Sequence, residues 1–170
     1  MLRRKKFKKF KHQSVKPSTH KGFGKESAPD SLEKRNAQTW AESGCQQCQA
    51  GNYKVALAFC KRAIEIDANN YIAWCNQSCV LNKLGRFEEE IASFDKAIEI
   101  KPDCDLAWLN RGIALEKLGR NEEAIASWDK AIEIKPDKHE AWLNRGIALE
   151  KLGRNEEAIA SWDKAIEIKP

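Results

Sequence analysis

Apolar residues recur in this chain at two spacings, one nested inside the other. Within residues 105–138, Ala107, Trp108, Gly112, Leu115 and Leu118, with Arg111 on the same row, are separated by steps of three and four. That spacing lines one face of an α-helix. Gly119 follows, and glycine enters the left-handed backbone region that stops a helix without steric penalty. A second block, Ala124, Ile125, Trp128, Ala131, Ile132 and Ile134, keeps the helical step up to Pro136. Proline cannot continue the hydrogen-bond ladder. The pattern predicts two short antiparallel helices.

The outer spacing is 34 residues, kept by Trp40, Trp74, Trp108 and Trp142, by Ala63, Ala97, Ala131 and Ala165, and by Pro102, Pro136 and Pro170. A fixed period of this length means stacked supersecondary units rather than one closed globule. The units run 37–70, 71–104, 105–138 and 139–170. Ordering one costs roughly 1–2 kcal/mol per residue in backbone entropy, so a unit without neighbours should not persist. The tryptophans are expected to fill the layer between units. Gly112 should face Ala124, and Gly146 should face Ala158, where paired helices approach closely. Glu90 stands at the small-residue site of the second unit. Its carboxylate should reach solvent or splay the pair, leaving that unit the least well packed.

The pattern resembles the tetratricopeptide repeat family over residues 37–170. The third unit gives Trp108, Arg111-Gly112, Leu115, Ala124, Trp128, Ala131 and Pro136; the fourth gives Trp142, Arg145-Gly146, Leu149, Ala158, Trp162, Ala165 and Pro170. The resemblance implies an all-α, right-handed superhelix, a solenoid of four helix-turn-helix repeats. Departures are Arg111 and Arg145 where the family usually has Leu, Ala68 for the closing Pro, and Cys60 for an aromatic. An arginine stem can cover apolar surface while its head reaches water.

Residues 107–136 and 141–170 are identical. No extra helix with a polar outer face follows Pro170, so the last pair should present an uncovered apolar flank. Either the sequence is a piece of a longer array, or that end self-associates.

Charge divides the chain. Residues 1–36 hold twelve Lys or Arg against three acids, a net +9, so the rest carries −4 of the total +5. Few large apolar residues accompany that charge, and the arm is expected to be disordered in isolation. Arg3, Arg4, Lys5, Lys6, Lys8, Lys9 and Lys11, interrupted by Phe7 and Phe10, form a cationic strip. Nucleic-acid phosphates or an anionic membrane surface would attract the strip Arg3–Lys11, although a solvated tail is the plainer reading. No apolar run suits a signal peptide or a bilayer span. Six cysteines without a disulfide framework point to a reducing, cytoplasmic setting.

Counting one, five and eight positions past each tryptophan gives Leu109, Ile113 and Glu116 in the third unit, and Leu143, Ile147 and Glu150 in the fourth. These share a helix face distinct from the packed one. The resemblance implies that this face lines a concave groove where relatives hold extended peptides or partner helices. Asn76, Asn110 and Asn144 flank it, and an asparagine amide can bond a peptide backbone. The competing reading is that these Leu and Ile side chains only pack neighbouring helices. Relatives that clamp acidic C-terminal tails carry a lysine just after the aromatic, where this chain has Ala41, Cys75, Leu109 and Leu143. An apolar or amphipathic segment is therefore the better ligand.

Cys45, Cys48, Cys75 and Cys79 fall on the same face by this count. Two thiolate pairs on adjacent helices could hold zinc, but small, easily buried side chains explain them equally well. No metal or cofactor is assigned. His12, His20 and His139 are scattered, and Glu122, Glu123, Glu156 and Glu157 suit helix N-termini electrostatically. The chain reads as a protein-binding scaffold or adaptor, not an enzyme. The alternative is a nucleic-acid or membrane tether working through the arm.

Overall fold

A computed structural model describes residues 28–169. It contains eight helices: α1 (Ala28–Gln49), α2 (Tyr53–Ile66), α3 (Tyr71–Lys83), α4 (Phe87–Ile100), α5 (Asp105–Lys117), α6 (Asn121–Ile134), α7 (His139–Lys151) and α8 (Asn155–Ile168). There is no strand among the described residues. Each helix packs on the next, and the first helices of successive hairpins touch, α1 on α3 and α5 on α7. The result is an all-α superhelix of stacked hairpins. The cationic strip Arg3–Lys11 lies outside the described residues. Helix α1 starts at Ala28, so residues 28–36, grouped with the arm on composition, belong to a helix. Pro29 in the first turn suits that start, since its missing N–H would have had no partner there.

The helix stops behave as the sequence indicates. Gly119 has φ +74°. The N–H of Gly119 donates to the Glu116 carbonyl at 2.9 Å, and that of Arg120 to the Leu115 carbonyl at 3.0 Å. These bonds satisfy carbonyls that a helix end leaves open. Arg120 then donates Nε and Nη2 to the two oxygens of Glu123, both at 2.6 Å. The same fork recurs at Arg86–Glu89 and Arg154–Glu157.

Inside a hairpin, the atoms nearest to where a Cβ on Gly112 would stand belong to the indole of Trp128, and those nearest Gly146 to the indole of Trp162. A Cβ on Gly112 would run into the ring. Glycine thus opens the slot that a tryptophan on the second helix fills. Trp128 is fully buried, and its Nε1 donates to the Leu109 carbonyl at 3.1 Å.

Trp74 and Trp108 pack against clusters shared by adjacent units, as expected, but the tryptophans of the 34-residue period are not fully buried. Trp40 is 36% exposed, while Trp74, Trp108 and Trp142 are half-buried. Each of the last three donates Nε1 at 2.9 Å to a carbonyl six residues earlier, on Ala68, Pro102 and Pro136 respectively. Their rings cover the junction and their N–H groups fasten the turn between hairpins. An amphipathic ring with one polar edge fits that position.

Arginines 111 and 145 also differ from the expected picture of heads reaching into water. Arg111 donates Nε to Asp95 of the preceding hairpin at 2.6 Å and Nη1 to Ser127 of its own at 2.7 Å. Arg145 repeats this on Asp129 and Ser161, both at 2.7 Å. Each guanidinium ties three helices together.

Helices α6 and α8 have one sequence and two environments. Ile125 is 5% exposed, whereas its counterpart Ile159 is 56% exposed; Ile166 is 59% exposed.

Replacing Trp128 by Ala should cost about 3–5 kcal/mol, the usual range for emptying a fully buried ring. Trp162→Ala should cost less than half of that, because Trp162 is only half-buried. Urea denaturation followed by circular dichroism checks the pair, and equal losses would contradict this account of the core.

Candidate protein-binding face

All the candidate contact residues lie on first helices. Leu109, Asn110, Ile113 and Glu116 are on α5; Leu143, Asn144, Ile147 and Glu150 are on α7; Asn76 is on α3. Because α5 and α7 touch, the structure brings the first two groups side by side. Lys151 on α7 spans to Glu116 on α5 at 2.8 Å. Leu106, one turn before Leu109, is half-buried on the same side, and the count from tryptophan did not reach it.

Two of these residues have structural duties. Leu109 is 5% exposed and belongs to the main core cluster. Asn76 is 8% exposed, and its Nδ2 donates to the Ala41 carbonyl at 2.9 Å. That bond joins α3 to α1 and occupies the donor a peptide would need. The others keep accessible surface. Leu143 is 39% exposed, and Ile113, Ile147, Asn110 and Asn144 are half-buried. The amides of Asn110 and Asn144 make no side-chain hydrogen bond among the described residues.

The cysteines form a connected group in which Cys79 also acts on Cys75. Cys45, Cys48, Cys60 and Cys79 are close enough to influence one another's ionisation. Burial first, then neighbouring cysteines and, for Cys79, also the Glu90 carboxylate, push Cys60 and Cys79 up to about 12. Thiols so raised stay protonated at neutral pH and are poor nucleophiles. Cys75 instead lies against Cys104 at the start of α5. The Cys75 thiol, within hydrogen-bonding reach, holds Cys104 below the ordinary thiol value. Among the described residues no group of three or more His, Cys, Asp or Glu converges to hold a metal ion, and no helix is long and apolar enough to cross a membrane.

Residues 75–139 and 109–170 match the family model for the tetratricopeptide repeat. Together they span more than half of the chain, which belongs to the tetratricopeptide repeat family. The fold of that family generally serves protein–protein interaction. Residues 53–84 also match the protein prenyltransferase alpha subunit repeat, over too short a stretch to assign a family. No curated protein sequence matches the chain. Among solved structures, a crystal structure of MamA superposes with a TM-score of 0.77, covering 82% of this chain and 81% of that one at 22% identity. MamA from residue 41 to its end, from Desulfovibrio magneticus RS-1, gives 0.73, with 81% and 77% covered at 18% identity. The TPR domain of Arabidopsis OM64 gives 0.66, with 69% and 98% covered at 24% identity. At these identities the likeness is one of fold.

Glu90 neither reaches solvent nor splays its hairpin. It is 1% exposed, beside buried Ile91 and Phe94. The Nδ2 of Asn82 donates to both its oxygens, at 3.0 and 2.8 Å. Burial pushes the carboxyl up to about 7 against an ordinary 4.5, with Asn82 and then Lys117 opposing the shift. Between these values the folded chain holds a proton that the unfolded chain has released. The stability from this group is therefore full below about pH 4.5 and is lost as pH rises towards 7. The swing is on the order of 3 kcal/mol, at about 1.4 kcal/mol per pH step. Glu90→Gln should accordingly be stabilising at pH 8 and near neutral at pH 4.5. Thermal melts of both chains across that range check it; a gap independent of pH would contradict the buried acid.

Proposed function

We propose that this chain is an interaction scaffold that holds a peptide or partner helix against the inner row of α5 and α7. One observation carries the reading: exposed Leu143 stands beside the unbonded amides of Asn110 and Asn144. Apolar area next to free backbone-type donors and acceptors is what an extended or helical segment requires. Ile113 and Ile147 extend the apolar row, and exposed Glu150, beside the Lys151–Glu116 pair, gives it an acidic edge. The preferred ligand is thus amphipathic, with apolar side chains inward and cations toward that edge. Binding, not catalysis, is the chemistry these residues support. The described cysteines are unpaired, which favours a cytoplasmic setting.

A second reading rests on the charge of Arg3–Lys11, which would hold nucleic acid or an anionic membrane. A pull-down from native extract separates the two. Leu143→Asp with Ile147→Asp should abolish capture of partner proteins while helicity is retained. A chain lacking residues 1–27 should capture them as before. If the double variant captures the same proteins as the unaltered chain, the inner row is not the site. If only RNA or anionic vesicles bind, and binding vanishes with the arm, the tether is the function.

A further inference from the structure

Two of the six cysteines meet across one junction of the stack. Cys75 lies near the start of α3, and Cys104 is the residue that opens α5. Both are buried in one cluster with Phe94, Ala97 and Ala107. The Cys75 thiol is within hydrogen-bonding reach of Cys104. Cys75 stands in the register of Leu109 and Leu143, and Cys104 in that of Asn70 and Lys138. No other unit has a thiol at either place, so both departures from the repeat fall on one contact.

The register of Cys104 is one that joins hairpins. One repeat later Lys138 bonds Asp105 at 2.7 Å and ties the third hairpin to the fourth. Side chains also join successive first helices at the outer junctions, Asn76 to the Ala41 carbonyl and Lys151 to Glu116. Of the three successive pairs of first helices, α3 and α5 have the sparsest direct contact. A covalent link between Cys75 and Cys104 would fasten the stack there.

The two thiols are not equivalent. Cys104 keeps 8% of its surface exposed, against 1% for Cys75. It also sits at a helix N-terminus, whose partial positive charge favours an anion. The Cys75 thiol first, then the N–H groups of Ala107 and Leu106, favour its thiolate against burial and the Asp105 carboxylate. Cys75 is pushed the other way, by its hydrogen bond to Cys104 and by burial. Cys48, Cys60 and Cys79 are likewise raised, chiefly by burial. One thiol of the pair is thus suited to attack and its neighbour to resolve, the arrangement of an oxidisable pair.

We propose that Cys75 and Cys104 are a peroxide-oxidisable pair that closes reversibly to a disulfide across the junction of the second and third hairpins. The Cys104 thiolate attacks one oxygen of hydrogen peroxide. The S–O bond forms, the O–O bond breaks, and the departing hydroxide takes up a proton to become water. The Cys75 sulfur then gives up its proton and attacks the sulfur of the Cys104 sulfenic acid. The S–S bond forms, and the hydroxyl group leaves with that proton as a second water. Two thiols are oxidised by two electrons in all, and one peroxide is reduced. A dithiol reductant reverses the change, so in a reducing interior the bond is transient. Neither sulfur belongs to the exposed inner row, and the proposal is independent of what that row binds.

The test treats the full reduced chain with a small excess of hydrogen peroxide. Remaining thiols are then alkylated in denaturant, and the unreduced digest is mapped by fragmentation mass spectrometry. A Cys75–Cys104 crosslink is expected, with Cys60 and Cys79 alkylated, and dithiothreitol should remove it. Cys75→Ser should leave Cys104 as a sulfenic acid that dimedone traps, and Cys104→Ser should leave Cys75 a free thiol. The urea midpoint should rise on oxidation and return with reductant, because a crosslink restricts the unfolded chain more than the folded one. Cys75→Ser should abolish that rise. Crosslinks among Cys45, Cys48, Cys60 and Cys79 in place of Cys75–Cys104 would overturn the proposal. So would a Cys104 that stays a thiol while those four are oxidised, or a midpoint that falls on oxidation, since the pair could not then close within the folded stack.

Discussion

A helical hairpin of this size has more apolar face than it can cover by itself, and every other feature of the molecule answers that shortage. Inside the hairpin the answer is Gly112, whose missing side chain admits the whole indole of Trp128. Between hairpins it is the stripe of one first helix laid on the preceding second helix, as Ala141, Ala148 and Leu149 are laid on α6. The second contact does not exist in an isolated unit. Order in one repeat is thus borrowed from the next, and exposure of a given residue depends on where in the stack it stands.

Apolar burial does not fix register by itself, because a ridge of Ala and Leu can slide along its groove at modest cost. Directional bonds set it. In the C-terminal half they are ionic, with Arg111 and Arg145 each bonded to an acid of the previous hairpin, and Lys138 reaching Asp105 at 2.7 Å. Toward the N-terminus an amide does this work, Asn76 bonding the Ala41 carbonyl. Position 61 is Lys and position 77 is Gln, where the later junctions have Asp and Arg, so the ionic pair is absent there. Partly exposed pairs such as Arg111–Asp95 contribute little net energy, and their value here is geometric.

Periodicity made the helices, their stops and their pairing legible, because those follow from spacing and from glycine and proline backbone chemistry. Contact partners were less legible. That Gly112 makes room for the ring of Trp128 depends on how far that ring reaches, which spacing does not tell. Glu90 looked like a conflict because its compensation lies eight residues away, at Asn82. The signal was present: the second unit has Asn and Glu where the third has Glu116 and Ala124, a paired exchange. Of the contact residues, position alone could not tell Leu109 from Leu143. They occupy one register in identical stretches, yet one is core and the other surface.

That divergence bears on how such a molecule can acquire function. Duplication copies residues but not neighbours, so a copied core position becomes a surface position wherever the neighbour is lacking. Leu143 on the inner row and Ile159 and Ile166 on α8 are all of this kind. Each has a buried twin in the third unit or is the repeat of a covered helix. The side chains were shaped for helix packing, with an acid placed to receive an arginine. The contacts of the buried twins record what these exposed side chains are shaped to pack against, Ile125 against the stripe of α7 and Asp129 against Arg145.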